Sequence, residues 1–262
     1  MPAPLSSSVS VDGWKINLPD QNAAIKAIEA AALQASSFCV FTLNLDHLVK
    51  LRSSPRFRNA YRKATFVTAD GAPVARLCRR QSPNFERTTG ADLVVPLAVK
   101  CAQARLPIYL FGTSPTVLEI AKTRLLASTG GKVEISGTYA PEENFDPTGP
   151  NGDDAISRIQ QSGARICFVA LGAPKQELLA ARAMDRNVKV GFICIGGALD
   201  FLANEQVRAP QFFQKYGLEW FWRLQSNPRR FFARYAKCAA LLARIELVDP
   251  LVSLATTRRS TR

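Results

Sequence analysis

Six short segments that are mostly apolar, except for the more polar one at 132–136, alternate with helical segments along the first 200 residues, and this alternation limits the fold more than any other feature. The apolar segments have strand length and are rich in β-branched and aromatic residues: 38–43, 65–69, 107–111, 132–136, 165–171 and 188–195. Continuous apolarity predicts strands that are covered on both faces. Helical patterns lie between them, at 23–35, 91–104, 115–127, 153–161 and 174–184. The chain is therefore predicted to form an α/β fold, a Rossmann-like and mostly parallel sheet with helices on both faces.

The composition changes after this region. Residues 205–262 contain 11 Lys and Arg against 4 Asp and Glu, within a chain of net charge +13. We therefore expect a catalytic or binding core at 1–205, a helical C-terminal appendage at 206–250 and a basic tail at 251–262. Two helices separated before Pro228 are predicted in the appendage.

The appendage interleaves basic residues with aromatic ones, and three interpretations account for this. Packing against the core explains the aromatic residues but not the density of arginine. Binding of single-stranded nucleic acid explains both, but no RNA-binding motif accompanies the pattern. An interfacial amphipathic segment also explains both features. We therefore expect an anionic membrane surface, and no nucleic acid, among the partners.

Other features of the sequence indicate the state of the cysteines and the relation of the protein to a membrane. The six cysteines have no metal-ligand or CxxC spacing, which favours buried, reduced thiols. The first 20 residues lack the pattern of a signal peptide. No segment has the ~20 uninterrupted apolar residues of a spanning helix, so the protein is expected to be soluble or to lie on a membrane.

In parallel α/β folds, ligands bind beyond the carboxyl ends of the strands. Small, polar or glycine residues follow the predicted strands and are the candidate site residues: Thr42, Asn44, Asp70, Gly112, Thr113, Gly172, Lys175, Gln176, Gly197 and Asp200. Turn formation alone explains the glycines well, but it explains Asp70 and Gln176 less well. Two turns, 112–115 and 172–174, each precede a predicted helix, whose free N–H groups suit a phosphate.

Several enzyme classes are disfavoured by missing motifs. Neither GxGxxG nor GxxxxGK[ST] is present, and YxxxK is absent as well. The single histidine, His47, has no GxSxG partner motif and is favoured for a packing role in a helix. No Asp–any–Asp motif is present, so arginine, lysine and helix N-termini would stabilise a phosphate leaving group. We expect no metal and no cofactor.

Motifs in a fixed order add a resemblance to these inferences. After Thr42 and Asn44 come ADG at 69–71, ERTTGADL at 86–93, LGAPKQE at 171–177, GGALDFLA at 196–203, RAP at 208–210 and LEWFWRLQSNPRRFFARY at 218–235. Over about residues 10–240 the chain resembles the WecG/TagA/CpsF family of bacterial glycosyltransferases. It departs from the family pattern at Ala72 and Pro73, where a second glycine is frequent, and at Leu199 and Asn204, which replace Phe and Gly.

The resemblance implies an inverting, metal-independent transfer of a sugar from a UDP-sugar donor to a polyprenyl-diphosphate-linked acceptor. It places this reaction at the cytoplasmic face of the inner membrane, in surface polysaccharide biosynthesis. Asp70 falls on the position of the catalytic base. The pocket positions that the resemblance implies are Thr42, Asn44, Arg87 and Gln176. The appendage would close over the site, and its candidate ligands of the acceptor or leaving diphosphate are Arg208, Arg223, Arg229, Arg230 and Arg234.

Two alternatives remain open at this point. Asp70 could instead be the N-cap of the helix that follows Gly71, which is a purely structural role. The whole chain could be a non-enzymatic basic α/β protein that binds nucleotides or nucleic acid. The sequence also leaves open which sugar is moved and whether the protein is a homo-oligomer.

Overall fold

A computed structural model describes residues 8–205, 210, 212–213, 219–226 and 228–248, except for the side chains of residues 223, 226, 230 and 248. A short hairpin, β1 (Val9–Val11) and β2 (Trp14–Ile16), precedes the central sheet. The sheet contains β3 (Phe38–Leu43), β4 (Phe66–Ala69), β5 (Ile108–Gly112), β6 (Ile135–Tyr139), β7 (Ile166–Ala170) and β8 (Gly191–Cys194). Its spatial order is β4-β3-β8-β7-β5-β6, and all described pairings within it are parallel.

The helices of the core connect these strands. They are α1 (Gln21–Leu33), α2 (Leu45–Ser53), α3 (Pro55–Tyr61), α4 (Ala72–Gln81), α5 (Gly90–Ala104), α6 (Pro115–Ser128), α7 (Pro150–Gln161), α8 (Lys175–Asp185) and α9 (Ala198–Ala203). This arrangement confirms the predicted fold class, a mostly parallel sheet surrounded by helices.

Strand β3 shows why its sequence lacks alternation. All six of its residues are buried. Cys39 and Phe41 belong to the apolar cluster on one face of the sheet, whereas Phe38 and Val40 belong to the cluster on the other face. Because helices cover both faces, successive side chains all enter a core, and the strand is continuously apolar.

Two details differ from the pattern-based prediction, one in the separate hairpin and one at the edge of the central sheet. The β1–β2 hairpin was not predicted, because strands of three residues are too short to produce a recognisable period. Its turn places both Asp12 (φ 53°) and Gly13 (φ 78°) in the left-handed region, as a two-residue hairpin turn requires. Strand β6 begins at Ile135, three residues later than predicted, and its five residues are only half-buried because it is an edge strand.

The C-terminal appendage contains helix α10 (Glu219–Ser226) and helix α11 (Pro228–Ala243), followed by a π-helical turn, Arg244–Val248. The predicted helix boundary before Pro228 is confirmed. Helix α11 packs against α2 and buries Cys238 and Leu241. Glu246 of the π-helical turn lies 2.6 Å from Arg76 of α4 and 3.5 Å from Arg80. The appendage therefore contacts the helices that follow β3 and β4.

Two further expectations concern burial and hydropathy. All six cysteines are buried and free of disulfides, as predicted. Within the part of the chain that the structure describes, no helix is both long enough and apolar enough to cross a membrane.

Candidate active site

A polar cavity of about 350 Å³ lies at the carboxyl ends of four neighbouring strands, β4, β3, β8 and β7. Of the residues predicted from strand ends or motifs, six line it: Thr42, Asn44, Asp70, Gly172, Gln176 and Gly197, and Arg234 of the appendage joins them. The structure thus brings together residues separated by up to 192 positions in sequence. This is the location at which parallel α/β folds bind ligands.

Asp70 is held by Asn44 across the ends of two paired strands. The side-chain amide nitrogen of Asn44 donates to Asp70 Oδ2 over 3.2 Å, and the backbone N–H of Asp70 donates to Leu43 O over 2.8 Å. Asn44 is also the N-cap of α2, where its Oδ1 accepts from the backbone N–H of His47. One asparagine therefore fixes both the start of a helix and the orientation of a carboxylate.

The glycine after Asp70 turns the chain into α4. Gly71 has φ 82°, a conformation that glycine adopts without strain, and it occupies the N-cap position of α4. Asp70 is therefore not the N-cap residue of this helix, contrary to the structural alternative. The change of direction leaves Asp70 at the lining of the cavity.

Gln176 lines the polar cavity with only 3% of its surface exposed. Its Oε1 accepts from the backbone N–H of Gly196 over 2.9 Å, and its Nε2 donates to Glu177 Oε1 over 2.7 Å. These two bonds fix the side-chain amide from opposite ends. The loop after β8 and the first turn of α8 are joined by this one side chain.

A buried polar network lies behind Gln176. Glu177 is fully buried, and its Oε1 is 3.8 Å from Nε2 of His47, whose Nδ1 lies 2.8 Å from the hydroxyl of Tyr61. Burial raises the pKa of Glu177 to about 7, although the hydrogen bond from Gln176 opposes the shift. Burial lowers the pKa of His47 to about 3. The pair is therefore electrically neutral in mildly acidic solution. His47 is buried, as a packing role requires, and it also lines the polar cavity.

A close backbone approach completes the wall of the cavity. A Cβ on Gly90 would lie 2.7 Å from Cα and O of Ile195, which explains why ERTTGADL has glycine at this position. The neighbouring Thr89 caps α5 in a reciprocal capping box with Asp92. Helix α5 therefore starts directly against the loop after β8, and both segments line the polar cavity.

A second cavity, of about 340 Å³ and mainly apolar, adjoins the first. It lies between the start of α4 and the appendage, and its apolar lining comes from Leu45, Ala72, Pro73, Trp220, Ala239 and Leu242. Five residues line both cavities: Asn44, Asp46, Asp70, Glu219 and Arg234. Asp70 therefore stands at the junction of a polar and an apolar space.

Ion pairs cross this junction. Arg87 donates to Glu219, the first residue of α10, over 3.1 Å. Asp46 accepts from Lys50 over 2.7 Å, and its other oxygen lies 3.2 Å from Nε of Arg234. Asp46, Lys50, Glu177 and Glu219 were not among the predicted residues. Glu177 lies inside the motif LGAPKQE, and Glu219 lies inside LEWFWRLQSNPRRFFARY. Their places in these motifs were the sequence signal that could have identified them as site residues.

The remaining predicted residues lie outside the linings of both cavities or outside the described residues. Thr113 donates to Asp200 over 2.8 Å, and Lys175 donates to the carbonyl of Glu143. A Cβ on Gly112 would lie 2.4 Å from the carbonyl oxygen of Ala170, so that glycine is required by packing between β5 and β7. Arg229 is exposed on α11. Arg208, the side chains of Arg223 and Arg230, and the tail at 251–262 lie outside the described residues.

The two turns that were predicted to suit a phosphate differ in their position relative to the polar cavity. The turn at 112–115 ends in Ser114, whose side chain caps α6 by accepting from the N–H of Val117. Gly172 and Ala173, by contrast, line the polar cavity directly before α8, whose N-cap residue Pro174 makes no side-chain cap hydrogen bond. The start of α8 is therefore the better placed of the two to bind a phosphate. Among the described residues, no group of three or more His, Cys, Asp or Glu side chains is arranged to hold a metal ion.

Comparison with known families gives this geometry a context. Residues 9–251 match the model of the Glycosyl transferase WecG/TagA/CpsF family. The chain belongs to this family. The match confirms the resemblance indicated by the ordered motifs, and it includes the appendage as well as the core. WecG/TagA/CpsF proteins are glycosyltransferases, so the substrates are a sugar donor and an acceptor. The two adjoining cavities are the candidate sites for them.

Proposed function

We propose that this WecG/TagA/CpsF protein is an inverting glycosyltransferase that moves a sugar from a UDP-sugar to a polyprenyl-diphosphate-linked saccharide without a metal ion. The observation that carries the proposal is the position of Asp70. Its carboxylate is oriented by Asn44 and lines both the polar and the apolar cavity. A base in this position can reach a hydroxyl group that enters from one space and a sugar bound in the other.

The polar cavity is the proposed donor site. Thr42 and Gln176 supply hydrogen-bonding groups for a sugar or a nucleotide, and Gly172 and Gly197 allow the backbone to approach it closely. The N-terminus of α8 and Lys50 supply positive potential for the diphosphate. Lys50 also donates to the carbonyl of Ala173, which fixes its ammonium group beside the 172–174 turn.

The apolar cavity is the proposed acceptor site. An acceptor linked to a polyprenyl diphosphate combines an apolar chain, two phosphates and a sugar. The lining by Trp220, Pro73 and Leu242 suits the start of such a chain, and Arg87 and Arg234 lie at the same cavity for the phosphates. We assign Arg229, Arg208, Arg223 and Arg230 to the same anion-binding role as further candidates.

In the proposed reaction, Asp70 accepts the proton of the acceptor hydroxyl as the oxygen of that hydroxyl forms a bond to the anomeric carbon of the donor. The bond between the anomeric carbon and the diphosphate breaks, and UDP leaves with the electron pair. General-base assistance of this kind contributes ~10²–10⁴-fold to the rate. Arginine, Lys50 and the α8 N-terminus would stabilise the departing charge, as a metal does in other transferases.

The appendage is proposed to lie on the cytoplasmic face of the inner membrane. Among its described residues, the exposed large apolar side chains are Phe212, Trp220, Phe221, Phe232 and Leu247, with exposed fractions of 39–70%. Exposed apolar side chains next to arginine suit an anionic leaflet, which each basic residue near the surface favours by ~1 kcal/mol. Such attachment would bring the apolar cavity to the lipid-linked acceptor.

The proposed function is tested by incubating the protein with a panel of UDP-sugars and a lipid-diphosphate-linked sugar in the presence of EDTA. We expect release of UDP with one donor, and a product whose new glycosidic bond has the anomeric configuration opposite to that of the donor. UDP binding without turnover for every donor would favour the non-enzymatic nucleotide-binding alternative. Turnover that is lost in EDTA and restored by a divalent cation would contradict metal independence.

A further inference from the structure

The two described arginines that line the cavities, Arg87 and Arg234, are each close to a carboxylate that lines them too. Arg87 pairs with Glu219, and Arg234 lies beside Asp46. A phosphate that binds at either arginine therefore has to share it with a carboxylate or displace that carboxylate. The chemistry of the site depends on which carboxylate can leave.

Asp46 is the more firmly held of the two. It contacts both Lys50 and Arg234, and only 13% of its side chain is exposed. Glu219 has one described cationic partner, Arg87, and both side chains of this pair are about one quarter exposed. Ion pairs with this degree of solvent contact contribute little to stability. A phosphate, which accepts two parallel bonds from a guanidinium group, competes well with a single bond to a carboxylate.

The position of Glu219 in the chain adds a consequence. It is the first residue of α10, and the next residue, Trp220, lines the apolar cavity. The pair between Arg87 and Glu219 therefore joins the core, directly before α5, to the start of the appendage. Breaking the pair removes a contact that holds the appendage to the core at the junction of the two cavities.

We propose that Glu219 is an exchangeable partner of Arg87, which a substrate phosphate replaces when it binds. The inference rests on the proposed function, because it takes Arg87 as an anion-binding residue. Glu219 acts through Arg87 as a positioning residue: it holds the guanidinium group at the junction, and it lowers the affinity of that group for phosphate. Phosphate binding transfers Arg87 from the appendage to the substrate and frees the start of α10.

The test compares Glu219→Gln with the wild-type protein and with a matched control, Glu246→Gln. The glutamine at 219 keeps an oxygen that can accept from Arg87 but loses the negative charge. Glu246 is a second carboxylate of the appendage that pairs with arginines of the core, Arg76 and Arg80, and it lines neither cavity. Binding of farnesyl diphosphate, a short analogue of the lipid-linked acceptor, is measured by isothermal titration at fixed, low salt, and UDP is titrated in parallel as the probe of the donor site.

We expect Glu219→Gln to lower the Kd for farnesyl diphosphate about tenfold, as the loss of one nearby negative charge at a partly solvated site predicts. Glu246→Gln should leave the Kd within about twofold of the wild-type value. Arg87→Gln should weaken binding, and in its presence the effect of Glu219→Gln should largely disappear, which is the sign of two residues acting together. In the wild-type protein, ligand binding should also change the fluorescence of Trp220, measured in a Trp14→Phe, Trp222→Phe background.

Two contrary results are distinguishable. If the wild-type protein binds farnesyl diphosphate but Glu219→Gln binds it equally or more weakly while remaining folded, Glu219 is a fixed contact and the exchange is wrong. If the wild-type protein binds UDP but not farnesyl diphosphate, the exchange at Arg87 is wrong while the donor site stands. If it binds neither ligand, the proposed function is contradicted and the inference is overturned with it.

Discussion

Asn44 uses the two ends of its side-chain amide for two different tasks. Its oxygen caps helix α2 by accepting from the N–H of His47, and its nitrogen donates to the carboxylate of Asp70. The carboxylate at the junction of the two cavities is therefore oriented by the same group that starts the helix lining one side of the site. Stability and orientation of the proposed base depend on different atoms of one residue, which makes them separable by mutation.

The first prediction separates these tasks. Asn44→Asp keeps the capping oxygen but replaces the donor with a second carboxylate beside Asp70. We expect the cap to be preserved, because Asp and Asn are equally good N-caps. The loss of stability should therefore come from repulsion between the two carboxylates alone, and it should disappear as pH is lowered. Turnover should fall, and the rise of activity with pH should move to higher pH because the added negative charge disfavours ionisation of Asp70.

Asn44→Ala is the matched comparison, since it removes the cap and the donor together. It should lose about 1 kcal/mol of stability in addition to activity. Chemical denaturation and a pH–rate profile measure the two effects. An Asn44→Asp protein with the pH–rate profile of the wild type would show that the bond to Asp70 has no part in catalysis.

The second prediction concerns Asp70 itself. Asp70→Asn removes the proton acceptor but preserves the size and hydrogen-bonding capacity of the side chain. We expect turnover to fall by at least ~10²-fold with little change in the Kd for UDP. Asp185→Asn, which alters an exposed ion pair with Lys63 outside both cavity linings, is the control and should keep full turnover. A folded Asp70→Asn protein that retains turnover would remove Asp70 from the role of base.

The sequence was sufficient for the sheet and for much of the site because both depend on local patterns. Buried strands such as Phe38–Leu43 are apolar at every position, and the residues that follow them in a parallel sheet necessarily meet at one edge. This is why Thr42, Asp70, Gly172, Gln176 and Gly197 could be assigned to one crevice in advance.

The parts that could not be predicted depend on contacts between distant segments. The pairs Arg87–Glu219 and Asp46–Arg234 each join the core to the appendage, and no local period indicates which charges meet. Thr113 and Asp200 are polar residues near strand ends, as several cavity residues are. Their side chains, however, hydrogen-bond to each other. Turn chemistry alone does not distinguish a residue beside the cavity from one a few ångströms outside it.

The third prediction concerns the buried carboxyl group of Glu177, whose pKa in the folded protein is raised to about 7 by burial. Between its ordinary pKa of about 4.5 and this value, the folded protein holds a proton that the unfolded chain has released. This group therefore lowers stability as pH rises through that range, with a limiting slope of about 1.4 kcal/mol per pH unit. His47, whose pKa is lowered to about 3, has the opposite effect between pH 3 and 6.5.

Glu177→Gln removes the pH-dependent contribution of Glu177 to stability and leaves that of His47. We expect the free energy of unfolding of this variant, relative to the wild type, to increase as pH is raised from 5 to 7.5. Urea denaturation at several pH values measures it. Glu119→Gln, at an exposed position on α6, is the control and should give a difference that does not depend on pH. A constant difference for Glu177→Gln as well would show that Glu177 titrates in the folded protein as it does in the unfolded chain.

The last prediction concerns attachment of the appendage to a membrane surface. Phe221 and Phe232 have exposed fractions of 39% and 70%, and they lie on the two helices of the appendage. Full burial of a large apolar side chain contributes ~1.5–3 kcal/mol, so replacing both by Ser should lower partitioning onto anionic liposomes by at least about tenfold. Flotation measures the bound fraction.

Leu33→Ser is the matched control, because Leu33 is 59% exposed but lies on α1 of the core. Equal losses for the two variants would mean that general surface hydrophobicity, and not the appendage, determines liposome binding; undiminished binding of the Phe221, Phe232 double variant would place the membrane contact on other residues.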